Sequence, residues 1–207
     1  AGGTTANYIA AWDGSTWSPL GTGMDGGVLS LAVHDGKVVA GGRFTTAGGS
    51  EANNIAAWSG SAWSPLGPGV AGDVYALAVY GYKLIAGGTF VSGGYGLQYI
   101  ASWDGSNWEP LVRGLGFYVR TLVLYDAMLF AGGDFTATGT GITTNYIASW
   151  NGSAWEPLGD GVSNRVSALA VYDGELVAGG FFLSTAEVSS PIAAWGPKQR
   201  DRSNTRN

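Results

Sequence analysis

The sequence predicts an all-β protein folded as a β-propeller of four-stranded antiparallel blades, with about 46 residues in each of four repeats. The first observation behind this prediction is a recurring phrase, Ile-Ala-Ala-Trp or Ile-Ala-Ser-Trp. It begins at Ile9, Ile55, Ile100, Ile147 and Ile192, in steps of 46, 45, 47 and 45 residues. The second is composition, because 36 Gly and 9 Trp in 207 residues suit tight turns and broad apolar sheets rather than helices.

The third observation is that apolar and polar residues alternate along each repeat, with the two-residue period of a β-strand. In the second repeat this pattern predicts strands over residues 74–80, 83–90, 99–103 and 108–111. The other repeats carry the same four segments in the same order. Each repeat is therefore expected to supply the strands of one sheet.

The connections between the predicted strands fall into two classes. Strand one joins strand two, and strand three joins strand four, through short turns such as Asp35-Gly36 and Asp104-Gly105, which tolerate positive φ. The remaining connections are long, as in residues 45–54 and 67–73. Alternate connections of an up-and-down sheet lie on one side, so the long ones are expected to share a face, called here the long-loop face. Exposed loops on a rigid scaffold are where binding residues concentrate.

All nine Trp recur at fixed positions of the repeat. Five lie on the third strand and four on the fourth: Trp12, Trp58, Trp103, Trp150 and Trp195, then Trp17, Trp63, Trp108 and Trp155. Stacking platforms for sugars are one interpretation of this series. Packing between neighbouring blades is the simpler one, because a residue present in every repeat answers a need present in every repeat. The Trp rings are therefore predicted to lie between sheets.

The propeller is expected to span residues 1–195, with repeats 9–54, 55–99, 100–146 and 147–191 and an extra strand 192–195. Strands one, two and four occur four times and strand three five times. A split closing blade, built from both ends of the chain, would hide two sheet edges. One third strand is then left without a place. Three arrangements stay open: a four-bladed ring in one chain, an eight-bladed ring of two chains that exchange strands, or a piece of a longer array.

Charge is distributed unevenly. The net charge is −5, but the last ten residues carry four basic residues and one acidic residue, so the rest of the chain is near −8. An acidic body disfavours nucleic acid as a partner. Residues 196–207 are interpreted as a basic, disordered tail. No apolar run reaches the roughly 18 residues needed to span a bilayer, and without Cys the chain offers no disulfide and no thiolate metal site.

Two further motifs recur. The second strand ends in a Gly pair, and the fourth begins at a Trp followed by a Pro-Leu pair; the Gly pairs are Gly41-Gly42, Gly87-Gly88, Gly132-Gly133 and Gly179-Gly180. This layout, over residues 1–195, resembles the kelch-type β-propellers and is closer to the highly repetitive propellers of bacterial exported proteins. It departs from kelch in the third strand. Kelch repeats usually carry a Tyr six or seven residues before the Trp of the fourth strand, whereas here that aromatic residue is a Trp, five residues before. The resemblance implies a protein-binding module. The related galactose oxidases are enzymes, but their copper centre needs Cys and more than one His.

The residue inventory argues against catalysis. With one His and no Cys, Ser-His-Asp and Cys-His nucleophiles and multi-His metal sites lack support. His34 aligns with a Tyr at the end of strand one in every other repeat, so it is interpreted as an ordinary strand position. Neither a cofactor nor a metal is predicted. The alternative ranked last is a hydrolase that uses loop carboxylates. A hydrolytic activity that disappears when Asp134 or Asp160 is mutated would support this alternative.

A ligand site is expected where the repeats disagree. The aligned residues at the start of strand one are Leu29, Tyr75, Arg120 and Ser167, and those near the end of strand two are Arg43, Thr89, Asp134 and Phe181. From these two sets we predict ligand-binding residues Tyr75, Arg120, Arg43 and Asp134, near the channel mouth on the long-loop face.

The leading functional hypothesis is a noncatalytic, lectin-like extracellular or cell-surface module that binds a glycan or a protein through the long-loop face. Exposed Tyr and loops with many backbone donors suit polar ligands. The alternative is a structural repeat protein whose strand edges join neighbouring chains into a ring or surface array. A glycan array combined with a measurement of molar mass separates the two hypotheses.

Overall fold

The computed structural model describes residues 3, 5–91, 98–183 and 192–195. These residues form nineteen β-strands, all paired antiparallel, and the described part of the chain contains no helix. In particular, it holds no apolar helix long enough to cross a bilayer. The all-β prediction is therefore confirmed. The predicted basic tail, residues 196–207, lies outside the described residues.

Three complete four-stranded sheets form, and their strands follow one another in chain order. Each sheet takes its first two strands from one predicted repeat and its last two from the next. The first contains β3 (Gly27–His34), β4 (Lys37–Arg43), β7 (Ile55–Trp58) and β8 (Trp63–Pro65), and the long connection from β4 to β7 adds a small hairpin of β5 (Thr46–Ala47) and β6 (Ser50–Glu51). The second contains β9 (Val74–Tyr80), β10 (Lys83–Val91), β11 (Gln98–Trp103) and β12 (Trp108–Pro110). The third contains β13 (Val119–Tyr125), β14 (Met128–Gly133), β15 (Ile147–Trp150) and β16 (Trp155–Pro157).

The two ends of the chain form incomplete sheets. At the start, β1 (Ala10–Trp12) and β2 (Trp17–Pro19) make a separate hairpin; at the other end, β17 (Val166–Tyr172), β18 (Glu175–Gly180) and β19 (Ile192–Trp195) make a three-stranded sheet. The split closing sheet expected from the sequence is not formed within this chain. The reason is that β19 occupies the edge of β18 that β1 would need.

The apolar core lies between consecutive sheets. One buried cluster joins the hairpin β1–β2 to the first sheet, and three more join the first sheet to the second, the second to the third, and the third to the strands β17 and β18. Five Trp are buried in these layers, as the repeat pattern predicted: Trp63, Trp103, Trp108, Trp150 and Trp155. By contrast, Trp12 and Trp17 on the first hairpin are each 51% exposed.

Asx side chains shape the tight turns. Asp13, Asp104 and Asn151 each accept hydrogen bonds from the backbone N–H groups two and three residues ahead. The backbone N–H of Asn107 and then that of Ser106 lower the pKa of Asp104 below its ordinary value, because they favour the ionised carboxylate. Asn151 begins an Asn-Gly-Ser glycosylation sequence, and its contacts assign it to turn geometry.

One turn departs from the repeat. After strand four the other repeats place a Gly with positive φ, at Gly21 (60°), Gly67 (57°) and Gly159 (57°), but the third turn has Val112 at 56°. A β-branched residue in the left-handed region is strained by roughly 1–2 kcal/mol. The replacement also coincides with a lost contact. Trp63 and Trp108 donate Nε1–H to the carbonyls of Leu20 and Leu66, whereas Nε1 of Trp155 is buried without a hydrogen-bond partner among the described residues.

Val112→Gly is expected to raise the free energy of unfolding by about 1 kcal/mol, because removing the strain outweighs the loss of a half-exposed side chain. Urea unfolding followed by Trp fluorescence measures this change. Gly159→Val is the matched control, since a Cβ built there meets nothing within 4 Å among the described atoms and the substitution tests backbone strain alone. It should destabilise by a similar amount. Equal stability of Val112→Gly and the parent would contradict the assignment of strain.

Candidate functional site: an arginine cluster at the strand ends

Seven side chains meet where strands one and two of successive sheets end. They are Arg43, Asp73, Tyr75, Arg120, Asp134, Arg165 and Phe181, and they are called here the arginine cluster. Arg43 ends β4, Tyr75 and Arg120 are the second residues of β9 and β13, and Asp134 follows β14 directly. The long connections leave the sheets at these same ends, because the tight turns join the opposite ends. The cluster therefore lies on the long-loop face.

The first half of the cluster is a hydrogen-bonded triangle. Nε of Arg43 donates to Oδ2 of Asp73 at 2.6 Å, and a terminal nitrogen of Arg43 donates to the hydroxyl of Tyr75 at 3.1 Å. That hydroxyl in turn donates to the same Asp73 oxygen at 3.2 Å. The contact with the Tyr75 hydroxyl, followed by that with Asp73, raises the pKa of the Arg43 guanidinium. Arg43 thus stays charged on an exposed surface while its orientation is set by two partners.

The second half is centred on Asp134. Nε of Arg120 donates to Oδ2 of Asp134 at 2.6 Å, and Nε of Arg165 lies 3.7 Å from Oδ1 of the same carboxylate. The longer separation is an ion pair without a hydrogen bond, and Nε of Arg165 is buried with no hydrogen-bond partner among the residues described. The guanidinium of Arg165 also lies 4.1 Å from the ring centroid of Phe181.

Tyr75 connects the two halves. The guanidinium carbon of Arg43 lies 5.5 Å from its ring centroid and that of Arg120 lies 5.3 Å away, both within the range of cation–π attraction. Three guanidinium groups against two carboxylates give the cluster a net charge of about +1, within a chain of net charge −5. Each guanidinium has five N–H donors, and the described hydrogen bonds use two of them in Arg43, one in Arg120 and none in Arg165. The remaining donors suit an anionic group such as a carboxylate or sulfate.

All four residues predicted from the disagreement between repeats lie in this cluster: Tyr75, Arg120, Arg43 and Asp134. Sequence reasoning missed the role of Asp73 and overlooked Arg165. Both residues lie immediately before the first Val of strand one, where the aligned residues are Gly27, Asp73, Tyr118 and Arg165. That position varies as strongly as the two sets used for the prediction, so the same comparison of repeats could have identified it.

His34 lies away from the cluster, next to a tight turn. Its Nε2 is 3.5 Å from Oδ2 of Asp35, and its side chain borders a groove of about 210 Å³ between the first and second sheets. The equivalent Tyr80 borders a similar groove of about 340 Å³ between the second and third sheets. Since the groove recurs with the repeat, it is a product of sheet packing. His34 therefore holds an ordinary strand position.

The acidic residues considered for hydrolysis do not form a pair in the described structure. Asp134 is engaged by two arginines, and the contact recorded for Asp160 is its backbone carbonyl accepting from the side chain of Asn145. Glu187, another loop carboxylate, lies outside the described residues. Among the residues that the structure describes, no group of three or more His, Cys, Asp or Glu is arranged to hold a metal ion.

Comparison with solved structures gives a likeness of fold. No protein-family model matches the sequence, and the search of curated proteins found no match. The chain is similar in fold to a solved structure described as the computationally designed Ika4 protein, with a TM-score of 0.53 over 85% of this chain and 94% of that one. Their sequences are 17% identical, so the likeness concerns the fold alone.

Proposed function

We propose that this chain is a noncatalytic, lectin-like β-propeller module that binds an acidic glycan through the arginine cluster. The observation that carries the proposal is that three guanidinium groups converge around Tyr75 and Asp134 on the long-loop face. Their unused N–H donors suit the carboxylate or sulfate of a charged sugar, and the neighbouring aromatic rings suit its apolar face. An acidic glycan is favoured over a neutral one because the cluster is cationic within an acidic chain.

The propeller arrangement is part of this proposal. It is supported by the three complete four-stranded sheets, by the serial packing of inner strands β3, β9, β13 and β17, and by the kelch-like Gly pairs. In a propeller these inner strands surround a central channel, and their long-loop ends would place the cluster at its mouth. An extracellular or cell-surface location agrees with a glycan ligand and with the resemblance to propellers of bacterial exported proteins.

A glycan array carrying neutral, carboxylated and sulfated sugars tests the ligand. Binding confined to the acidic sugars is the expected result, with affinity that falls as salt is raised. Arg120→Ala and Arg43→Ala should each weaken the interaction about 10- to 100-fold, the range expected for a lost hydrogen bond to a charged group. Tyr75→Ala should weaken binding as well, because the ring holds both guanidinium groups in place.

Lys83→Ala is the matched control for charge. Lys83 pairs with Glu109 at 3.0 Å near the tight turn of the second sheet, away from the cluster. Its loss should leave glycan affinity unchanged. If Arg120→Ala and Lys83→Ala behave alike, the cluster is not the site. If no sugar is bound and a protein ligand is, the kelch-type protein-binding alternative replaces the glycan.

A second candidate function is the structural one, in which chains join through their incomplete end sheets. The observation that favours it is the exposure of Trp12 and Trp17, whose equivalents in the complete sheets are buried or half-buried. The two functions are compatible, because the end sheets and the arginine cluster use different residues.

A further inference from the structure

A repeated contact holds successive sheets together. The first Gly of each Gly pair has no side chain, and the inner strand of the next sheet packs into the space. A Cβ built on Gly87 would lie 2.5 Å from Val119 Cγ1 and 3.4 Å from Leu122 Cδ1, and one built on Gly132 would lie 2.5 Å from Val166 Cγ1. Gly41 receives Val74 and Leu77 in the same way. Each sheet thus offers a hollow that a Val of the following sheet fills, joined by a Leu at Gly41 and Gly87.

The last sheet has a hollow that is not filled. Gly179 of β18 is the fourth member of the series, and a Cβ built there meets no described atom within 4 Å. The side chains that would fill it correspond, in the repeat, to the Val and Leu of another inner strand.

The first sheet has the matching side chains, and they are exposed. Leu31 of β3 is 53% exposed, whereas the equivalent Leu77 of β9 is 8% exposed. Val33, on the same face of β3, is also exposed, as is Leu29 at the bulge of this strand. While β3 packs on β9, β9 on β13 and β13 on β17, the described strands β3 and β17 do not pack against one another in this way. The unfilled hollow and the uncovered Leu therefore lie at opposite ends of one series of sheets.

The strand inventory of the two ends is complementary too. Among the described residues the last sheet has strands one, two and three and no strand four, and the hairpin β1–β2 consists of strands three and four. The segments 9–12 and 192–195 have the same sequence, Ile-Ala-Ala-Trp. Consequently β1 offers β18 the same side chains and the same hydrogen-bonding register as β19, and it brings β2 with it.

We propose that two copies of this chain assemble head to tail into one closed ring. In each junction the hairpin β1–β2 of one copy replaces β19 on β18 of the other, and Val28 and Leu31 enter the hollow at Gly179. The exchange is favourable because it replaces the β18–β19 pair with an equivalent β18–β1 pair, extends the sheet by β2, which is already paired with β1, and buries Trp12, Trp17 and Leu31. Two copies would supply eight four-stranded sheets, within the four to eight blades usual for propellers, whereas three would supply twelve. The proposal rests on the propeller arrangement above but not on the glycan.

Molar mass in solution tests the assembly with the 207-residue chain. Sedimentation equilibrium should show twice the 21.2 kDa of one chain, with dissociation only on dilution. Leu31→Asp, which changes an exposed residue of the single chain, should weaken the association at least 100-fold while the circular dichroism spectrum stays the same. Ile142→Asp is the control, because Ile142 is 47% exposed in a loop outside the junction and its replacement should leave the mass doubled. A mass of one chain at all concentrations, or a dimer unaffected by Leu31→Asp, overturns the proposal.

Cysteine pairing identifies the partner residues, since the chain has no Cys of its own. In the formed junctions the Cβ built on the Gly lies 3.0 Å from the Val Cβ, as for Gly87 with Val119. This is about 0.5 Å shorter than the lower end of the disulfide range, so a cross-link needs the two strands to move slightly apart. Val28→Cys mixed with Gly179→Cys should give disulfide-linked pairs under mild oxidation, and neither variant alone should do so at the same rate. The variant that carries both Val28→Cys and Gly179→Cys tests closure within one chain. If a single chain closes the ring, this variant forms a disulfide within that chain and its mass is not doubled. That result would overturn the two-chain ring and would leave the glycan proposal standing. A variant that no longer dimerises but still binds glycan would likewise leave the glycan proposal standing.

Discussion

Trp108→Ala is expected to lower the free energy of unfolding by about 3–5 kcal/mol, the range for truncating a buried Trp. The ring is buried between the first and second sheets and lies 5.3 Å from that of Trp103, and its Nε1 donates to the carbonyl of Leu66 at 3.1 Å. Its removal leaves a cavity between two sheets and an unpaired carbonyl. Denaturant unfolding followed by far-ultraviolet circular dichroism measures the loss. A decrease below about 1 kcal/mol would show that the ring does not hold the sheets together.

The repeats offer a matched comparison that separates the hydrogen bond from packing. Trp108→Phe and Trp155→Phe remove the same atoms from equivalent positions, but only Trp108 has a partner for Nε1 among the described residues. Trp108→Phe should therefore cost about 1 kcal/mol more than Trp155→Phe. Equal losses would mean that the contact with Leu66 contributes nothing beyond packing.

Gly87→Ala is expected to be the second most damaging change, at about 1–3 kcal/mol, from a single added methyl group. The backbone of Gly87 is not in the left-handed region, so the cost comes from space alone: the new Cβ would lie 2.5 Å from Val119 Cγ1. The second and third sheets must then move apart or Val119 must leave its rotamer. Thermal unfolding should show a midpoint lowered by several degrees.

Gly27→Ala is the control for the general effect of replacing Gly in a strand. A Cβ built on Gly27 of β3 meets no described atom within 4 Å, and its φ is not positive. The change should leave the midpoint the same or raise it slightly, because Ala has less conformational entropy to lose. If both Gly substitutions lowered stability equally, the close approach of sheets at Gly87 would not be the cause.

Much of the local structure could be predicted from the sequence, because it depends on contacts within a few residues. The second repeat was expected to form strands over 74–80, 83–90, 99–103 and 108–111, and they lie at Val74–Tyr80, Lys83–Val91, Gln98–Trp103 and Trp108–Pro110. The tight turns also follow from local chemistry, as at Asp35 and Gly36, whose φ values are 48° and 69°. The small hairpin β5–β6 escaped prediction, since its two-residue strands are too short to show a period.

The candidate site was predictable only as a set of positions. Comparing repeats singled out Arg43, Tyr75, Arg120 and Asp134 because a series of near-identical units makes its variable positions visible. Their hydrogen bonds could not be predicted, because those of Arg43 join the first sheet to the second and that between Arg120 and Asp134 joins residues 14 apart in sequence. Asp73 and Arg165 were missed for the same reason, since their role depends on the neighbouring sheet rather than on their own strand.

The all-β class, the period of the sheets and the tight turns were predictable without coordinates, because alternation, turn propensity and repeat spacing act between residues near one another along the chain. The tertiary structure was needed to show how the end strands pair, which Trp are covered, and that three arginines share two carboxylates while two of the three lie over one Tyr ring. This difference arises because the strands of one sheet satisfy each other's backbone hydrogen bonds, whereas the apolar faces of the sheet are buried only by neighbouring sheets. A sheet can be recognised from its own residues, whereas what covers its faces depends on the sheet beside it.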